Sequence, residues 1–392
     1  MKPISRIAAY ADELTALRRD FHAHPEIGFE ETRTSGIVAE KLASWGVEVH
    51  RNVGKTGVVG IIQGNGRPGA SIGLRADMDA LPIEEATDVA WKSTRPGTMH
   101  ACGHDGHTTM LLGAARYLAE TRDFPGRVVC IFQPAEEGLG GARAMLADGL
   151  FERFPCQEVY GLHNTPAGPR YEVSVKSGPA MAAADFFDIH IKGKGSHGAL
   201  PQQANDPTMI AVTLAQAMQT IVSRNVDPLR AAVVSITQIH AGAAYNVVPE
   251  TAHLAGTVRC FDPEVRLLVR RRIEELARGV AAGFGAKAEV DYRDIFSVTM
   301  NGEVQTDAVL EVAHEIVGED LTRIAGEPMM GSEDFADMLH QVPGAYFFLG
   351  MTPGASLHNA AYTFDDAILP VGASMLARLG ERRTAALANT AA

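Results

Sequence analysis

The chain has 392 residues, more than one hydrophobic core usually serves, so two domains are expected. Apolar residues make up 46% of the composition and charged residues 21%, as in an ordinary soluble globular protein. The net charge of −12 argues against nucleic acid or an anionic membrane surface as the partner.

The N-terminal segment and the number of cysteines bear on the cellular compartment of the protein. Charged residues interrupt the apolar N-terminal positions, so no signal-peptide core is predicted, and no apolar run reaches the length of a membrane span. Four scattered cysteines are too few for a disulfide framework; they are Cys102, Cys130, Cys156 and Cys260. We therefore expect a cytoplasmic protein whose reduced thiols remain available to a metal.

The first part of the chain alternates predicted helices and strands. Polar helices are predicted over 5–20 and 34–45, and apolar residues at helical spacing predict a third over Asp105–Glu120. Apolar runs of strand length predict strands at Gly57–Gln63, Ser71–Ala76, Arg127–Gln133 and Glu158–His163. This alternation predicts an α/β catalytic domain with a mostly parallel central sheet and helices on both faces.

The pattern changes after the small-residue stretch 177–184. Asp206 is expected to cap a helix that reaches about Asn225, and Asp262-Pro263 starts another that reaches about Ala282. Between and around them, strands are predicted at Ala184–Lys192, Ala231–Ile239, Thr251–Arg259 and Ala288–Ile295. The order βαββαβ is that of a ferredoxin-like unit. We predict an inserted domain over 181–294 and a first domain formed by 1–180 and 295–392.

Polar residues follow the predicted strands of the first domain. The acidic turn Asp77-Met78-Asp79 follows one strand, and another ends in His163. Because open α/β sheets bind ligands outside the carboxyl ends of their strands, a functional site is expected at this edge.

The segment Met99–His107 carries the strongest chemical signal. The thiolate of Cys102 and the imidazole of His104 are two residues apart on a turn relieved by glycine, so both can face one metal ion. Asp105 is expected to hold an imidazole in the required tautomer. The alternative is a loop of buried histidine and cysteine with ordinary hydrogen bonds.

Two adjacent carboxylates follow a strand that should be buried. Glu136 and Glu137 repel each other there, and both stay ionised only near a cation. One would bind the metal while the other moves a proton. The alternative is a solvated acidic turn.

Two further histidines complete the candidate set. His163 lies at a strand end, and His358 comes late in the chain within Leu357-His358-Asn359. Either alone would more often be structural. Together with Cys102, His104 and Glu137 they offer nitrogen, oxygen and sulfur ligands at element boundaries.

These motifs resemble those of the M20 metallopeptidase family, in its amidohydrolase branch (M20D) of hippurate hydrolases, aminoacylases and plant auxin-conjugate hydrolases. The resemblance runs nearly end to end through eight motifs: Arg19–Glu26, Leu74–Pro82, Met99–His107, Gln133–Gly138, Gly195–Pro201, Asn246–Pro249, Gly331–Phe335 and Leu357-His358. It implies metal-dependent hydrolysis of the amide bond of N-acyl-L-amino acids.

The resemblance also implies roles for individual residues. Glu136 matches the general base, and His197 matches a lid histidine that reaches the partner subunit and stabilises the oxyanion. Asn246 and Arg259 match substrate contacts, and the alternative for Arg259 is a surface salt bridge of the lid. Asp77 and Asp105 are expected to hydrogen-bond to the ligands without binding the metal. The two divalent ions are expected on Cys102, His104, Glu137, His163 and His358.

The resemblance leaves several points open. Cys102 favours zinc, nickel or cobalt, while the other ligands also accept manganese. A homodimer through the inserted lid domain is expected. The alternatives are a dipeptidase, carboxypeptidase or N-acetyl-diaminopimelate deacetylase with the same site, and a catalytically silent regulatory relative that binds metal.

Overall fold

A computed structural model describes residues 1–388 of the chain. Its strands are β1 Glu48–Val53, β2 Gly57–Gln63, β3 Ser71–Asp77, β4 Arg127–Gln133, β5 Glu158–Thr165, β6 Val173–Val175, β7 Gly178–Met181, β8 Ala183–Lys192, β9 Ser196–His197, β10 Ala232–Ala241, β11 Val247–Val248, β12 Thr251–Cys260, β13 Lys287–Phe296, β14 Thr299–Asn301, β15 Thr322–Ile324 and β16 Gly344–Gly350. Its α-helices are α1 Ser5–Ala8, α2 Ala11–Ala23, α3 Thr32–Ser44, α4 His104–Thr121, α5 Gly141–Ala147, α6 Leu150–Arg153, α7 Pro207–Arg224, α8 Pro263–Gly283, α9 Glu303–Ile316, α10 Phe335–Leu339 and α11 Leu369–Ala388.

The chain forms two compact units. The larger comprises 1–180, 299–328 and the residues from Asp334 onward, and the smaller comprises Met181–Val298 and Met329–Glu333. The sequence analysis placed the return to the first domain at residue 295 and did not separate the short second segment. That segment belongs to the smaller unit because the Ala182 N–H donates to the carbonyls of Met329 and Gly331 at 3.0 and 2.9 Å.

The larger unit is built on an eight-stranded sheet in the order β1-β2-β4-β3-β5-β16-β6-β15. β3 runs parallel to β4 and β5, and β16 runs parallel to β5. Every residue of β3 is buried, as expected for a central parallel strand. The predicted α/β fold with a mostly parallel central sheet is confirmed. Because parallel strands end at one edge, Asp77, Gln133 and His163 leave the sheet close together.

Helices cover the larger unit's sheet and supply its core. α4 and α11 pack on β3, and α9 packs on β16. The segment predicted as one helix over 5–20 is helical but forms two helices, because the chain turns at Ala9 and Tyr10 between α1 and α2. The turn allows Ile7 and Tyr10 to be buried and lets the Tyr10 hydroxyl donate to Glu120 Oε2 at 2.5 Å.

The smaller unit carries a four-stranded antiparallel sheet in the order β10-β12-β8-β13. With α7 and α8 between strands, this is the predicted ferredoxin-like unit. Both helices begin as expected, because Asp206 accepts the Thr208 N–H at 2.8 Å and Asp262 accepts the Glu264 N–H at 2.8 Å. Within residues 1–388, every helix is either too short or too polar to cross a bilayer.

Candidate active site

The edge at which β3, β4 and β5 end carries the predicted chemical residues. α4 starts there at His104, and its cap Gly103 has φ +95. A Cβ at Gly103 would lie 2.2 Å from Asn164 Oδ1 and 2.9 Å from the Tyr362 hydroxyl, so a larger residue cannot occupy this turn. The turn therefore brings Cys102 and His104 against the end of β5.

The five predicted metal ligands and Glu136 lie together in the larger unit. Three overlapping groups each keep their ligand atoms within 4.8 Å of one another: Cys102, His104 and His163; Cys102, Glu137 and His358; and His104, Glu136 and Glu137. The Cys102 sulfur lies 3.3 Å from His163 Nε2, and Glu137 Oε1 lies 3.1 Å from His358 Nε2. Residues distant in sequence thus form one cluster of nitrogen, oxygen and sulfur donors.

The loop that carries His358 has an unusual backbone. His358 has φ +62, a left-handed conformation that costs energy for a residue with a side chain. Its N–H donates to the Ala101 carbonyl at 2.8 Å, which ties this late loop to the segment around Cys102. The His358 side chain remains 52% exposed, so the cluster is open to solvent on this side.

A buried carboxylate hydrogen-bonds to two of the candidate ligands and fixes their orientation. His104 Nδ1 lies 3.2 Å from Asp79 Oδ1, and the other oxygen of Asp79 accepts the Glu137 N–H at 3.0 Å. Asp79 therefore holds two candidate ligands at once. In the sequence, Asp79 stands out only as part of the acidic turn that follows β3, two residues after Asp77.

Asp77 and Asp105 have other contacts than those expected. Asp77 Oδ1 accepts His107 Nδ1–H at 2.6 Å and its Oδ2 is 3.8 Å from His104 Nε2, so its hydrogen bond orients His107. Asp105 Oδ2 contacts Arg18 at 3.2 Å and His22 at 2.9 Å. Asp105 thus anchors the start of α4 and orients His22, which is outside the candidate ligand set.

The carboxylates around the cluster favour positive charge. Burial by itself would lower the pKa of His104, but Asp77 raises it well above the usual imidazole value. Contacts with Cys102 and Glu137 raise the pKa of His358 to about 10. The protons on His104 and His358 provide the positive charge that the carboxylates favour. A bound cation would provide that charge instead, and the two imidazoles would then lose their protons.

Burial shifts the pKa of two other candidate ligands in directions that suit cation binding. Burial raises the pKa of the Cys102 thiol, and the neighbouring Glu137 adds to this effect. A thiolate at Cys102 therefore requires a positive partner. Burial and the nearby His107 lower the pKa of His163 well below the usual value, so His163 presents a neutral imidazole.

Unpaired buried atoms provide a test of whether the cluster fits a metal. Among the described residues, His104 Nε2 and Glu137 Oε1 are buried and lack a hydrogen bond of good geometry, although Glu137 Oε1 lies 3.1 Å from His358 Nε2. His104 Nε2 and Glu137 Oε1 lie 3.9 Å apart, within reach of a single ion between them. Since buried polar atoms are normally satisfied, the residues present fit a metal ion.

The remaining candidates lie in the smaller unit. His197 in β9 pairs with Val247 in β11, and the Gly198 N–H donates to the Asn246 carbonyl at 2.7 Å, so His197 and Asn246 are neighbours. His197 Nδ1 accepts the Ala199 N–H at 3.0 Å, which places the proton of a neutral ring on Nε2. The His197 ring is exposed and can donate to a ligand.

Arg259 in β12 is a half-buried cation. Its Nη1 donates to the Ser332 hydroxyl at 2.5 Å, and no carboxylate of the described chain forms an ion pair with it. Burial lowers the pKa of Arg259, only partly offset by Asp185. A half-buried guanidinium without an acidic partner matches a site for a substrate carboxylate.

Comparisons with known proteins agree with this geometry. The model of peptidase family M20/M25/M40 matches residues 73–382. A hippurate hydrolase from Campylobacter jejuni is 44% identical over 97% of this chain and 98% of its own. Thermostable carboxypeptidase 2 from Saccharolobus solfataricus is 39% identical over 92% and 93%. The crystal structure of Bacillus subtilis YxeP, a dinuclear metal binding peptidase from the M20 family, has a TM-score of 0.84 and 36% identity and covers 96% of this chain and 99% of its own.

Proposed function

We propose that this chain, which belongs to peptidase family M20/M25/M40, hydrolyses the amide bond of N-acyl-L-amino acids with the help of two divalent metal ions. The products are a carboxylic acid and a free amino acid. The observation that carries this proposal is the cluster of mixed donors around His104, with the buried carboxylate of Glu136 beside it. The 44% identity to a hippurate hydrolase supports the substrate class, since hippurate is an N-acylated glycine.

The proposed metal ligands are the five residues that the resemblance implied. Cys102 belongs to two of the overlapping groups, one with His104 and His163 and the other with Glu137 and His358. The thiolate favours zinc, nickel or cobalt, and the imidazoles and carboxylate also suit manganese. Bound at such donors, divalent ions supply an acidified water and polarise a carbonyl oxygen.

Glu136 is the proposed general base. Its side chain is buried, with only 6% of the residue exposed, and a carboxylate oxygen lies within 4.8 Å of ligand atoms of His104 and Glu137. Its carboxylate takes the proton of the attacking water and later delivers it to the nitrogen of the leaving amine.

Residues of the smaller unit complete the proposed machinery. His197 donates its Nε2–H to the oxygen that becomes negative in the tetrahedral intermediate, acting on the active site of a partner subunit. Arg259 binds the carboxylate of the amino acid through its guanidinium, and Asn246 contacts the substrate beside His197.

A homodimer through the smaller unit is part of the proposal. β10 is an edge strand of its sheet, and Ile239 on it is 48% exposed. Such an edge can pair with a second copy. Analytical ultracentrifugation should give twice the mass of the chain. A cytoplasmic location is also proposed, because all four cysteines are free thiols.

The test measures amine release from N-benzoyl and N-acetyl amino acids and from dipeptides. It uses the protein as isolated, after chelation, and after restoration with zinc, manganese, nickel or cobalt. We expect release from the N-acyl amino acids that chelation abolishes and metal restores. Cleavage of dipeptides alone would instead support carboxypeptidase activity, which the similarity to carboxypeptidase 2 favours as the second candidate. Absence of turnover with any metal would contradict both candidates.

A further inference from the structure

A second group of histidines lies on the sheet of the smaller unit. His240 of β10 pairs directly with His253 of β12, and His253 pairs directly with His190 of β8. Glu289 of β13 is the direct partner of His190 on its other side. Three imidazoles and a carboxylate thus form one row across four neighbouring strands, and we call it the histidine row.

The rings of the histidine row stand close together. The His190 and His253 rings have centroids 4.8 Å apart and planes 18° apart, and those of His240 and His253 are 6.0 Å and 6° apart. Two imidazole nitrogens on one tetrahedral zinc ion lie about 3.3 Å apart, given zinc–nitrogen bonds of about 2.05 Å. His190 and His240 are exposed, so their side chains are free to rotate toward a common ion.

Two neighbouring side chains determine which nitrogen faces a ligand. His253 Nε2 lies 2.6 Å from Asp188 Oδ1, and His240 Nε2 lies 3.3 Å from Gln238 Oε1. Both oxygens accept hydrogen bonds, so the proton of each neutral ring lies on Nε2 and the lone pair lies on Nδ1. A histidine whose second nitrogen donates to a carboxylate is a usual arrangement at metal sites.

The surroundings of the histidine row leave room for an ion. The row lines a cavity of about 570 Å³, together with Lys192 and Lys287. No hydrogen bond or ion pair within residues 1–388 engages the His190 ring. Glu289 is exposed and offers a fourth, anionic ligand beside His190. Imidazole donors with one carboxylate suit zinc, nickel or copper(II) rather than magnesium or calcium.

We propose that the histidine row binds one divalent transition-metal ion through His190, His240 and His253. This site shares no residue with the cluster around His104, which lies in the larger unit. The proposed general base and metal ligands of amide hydrolysis all belong to that cluster, so we assign the ion at the histidine row a binding role.

The test counts the ions that the full chain holds. The chain is dialysed to equilibrium against Zn²⁺ at a buffered free concentration and its zinc is measured by elemental analysis. His253→Ala and His190→Ala should each contain one zinc fewer than the wild type. Asp188→Asn should weaken this one site by about 10- to 100-fold, because it removes the carboxylate behind His253.

Two control variants distinguish zinc bound at the histidine row from zinc bound elsewhere on the surface. His50→Ala removes an exposed histidine that pairs with Glu48 at 2.8 Å in the larger unit, and Lys192→Ala removes a cation from the same cavity. Both should keep the full zinc content. An unchanged zinc content in His253→Ala and His190→Ala would overturn the proposal, and so would an equal loss in Lys192→Ala.

Folding and activity are checked in the same preparations. Each variant should show the wild-type circular dichroism spectrum and amide hydrolysis within about twofold of wild type, because none of the changed residues belongs to the proposed catalytic machinery or to the proposed dimer edge β10. If His253→Ala does not fold, the count rests on His190→Ala, which changes an exposed side chain. Loss of hydrolysis together with zinc in these variants would also overturn a separate site.

Discussion

Replacement of Glu136 by glutamine separates proton transfer from metal binding. Glutamine keeps the shape of the buried side chain and removes the basic oxygen. General acid–base catalysis contributes about 10²- to 10⁴-fold to the rate. At about 1.36 kcal/mol for each factor of ten, the expected loss of transition-state stabilisation is about 2.7–5.4 kcal/mol. Because Glu136 is placed beside the proposed ligands rather than among them, Glu136→Gln should retain its metal.

The neighbouring carboxylate gives the opposite expectation. Glu137 Oε1 lies 3.1 Å from His358 Nε2 and 3.9 Å from His104 Nε2, within the proposed ligand set. Glu137→Gln should therefore lose metal and activity together. Glu40, which is exposed on α3, provides a matched control, and Glu40→Gln should change neither.

The assay measures kcat/KM for an N-acyl amino acid and the metal content of each variant in the same preparation. The reasoning would be refuted if Glu136→Gln kept more than about a tenth of the wild-type kcat/KM at equal metal content. A parallel loss of metal in Glu136→Gln would instead make Glu136 a ligand and would also contradict the proposed role.

Three other changes test separate parts of the structure. His197→Ala should lower kcat by at least about 100-fold without changing the metal content, because it removes one donor to the oxyanion. An equal loss of kcat and of metal would argue against His197 as an oxyanion donor. Arg75→Met removes a fully buried guanidinium that lies 2.7 Å from Asp77. The free energy of unfolding, measured in urea, should therefore fall by about 3–5 kcal/mol. A fall of less than about 1 kcal/mol would contradict a structural role for this ion pair. Burial alone would lower the pKa of His22, but hydrogen bonds to Asp105 and Glu85 raise it to about 9. Its stabilising effect is therefore full below about pH 6.5 and is lost as the pH rises to about 9, and His22→Gln should remove this part of the pH dependence of unfolding.

Local signals in the sequence account for much of the fold. The Asp-Pro pairs at Asp206 and Asp262 start helices because a cap acts on N–H groups two or three residues away. Strand lengths follow from apolar runs, and the strand–helix order limits the topology to an α/β sheet with an inserted ferredoxin-like unit. Four of the expected ligands, Cys102, His104, Glu137 and His163, lie near the end of a strand or the start of a helix, which local sequence indicates, whereas His358 lies in a loop.

Contacts between distant residues required the tertiary structure. The pairing of His104 with Asp79, of His107 with Asp77 and of Asp105 with His22 depends on side-chain directions that residue spacing does not determine. The turn at Tyr10 follows from packing near Glu120, at a separation of 110 positions in the sequence.

The histidine row shows the same division between sequence and tertiary structure. His190, His240 and His253 form no motif along the chain, and each lies in a different strand of the smaller unit's sheet. The sequence by itself determined that these strands exist and which side chains share a face within each one. Only the register between strands decided that the three rings stand side by side, because a shift of one residue would turn a strand's side chains to the opposite face.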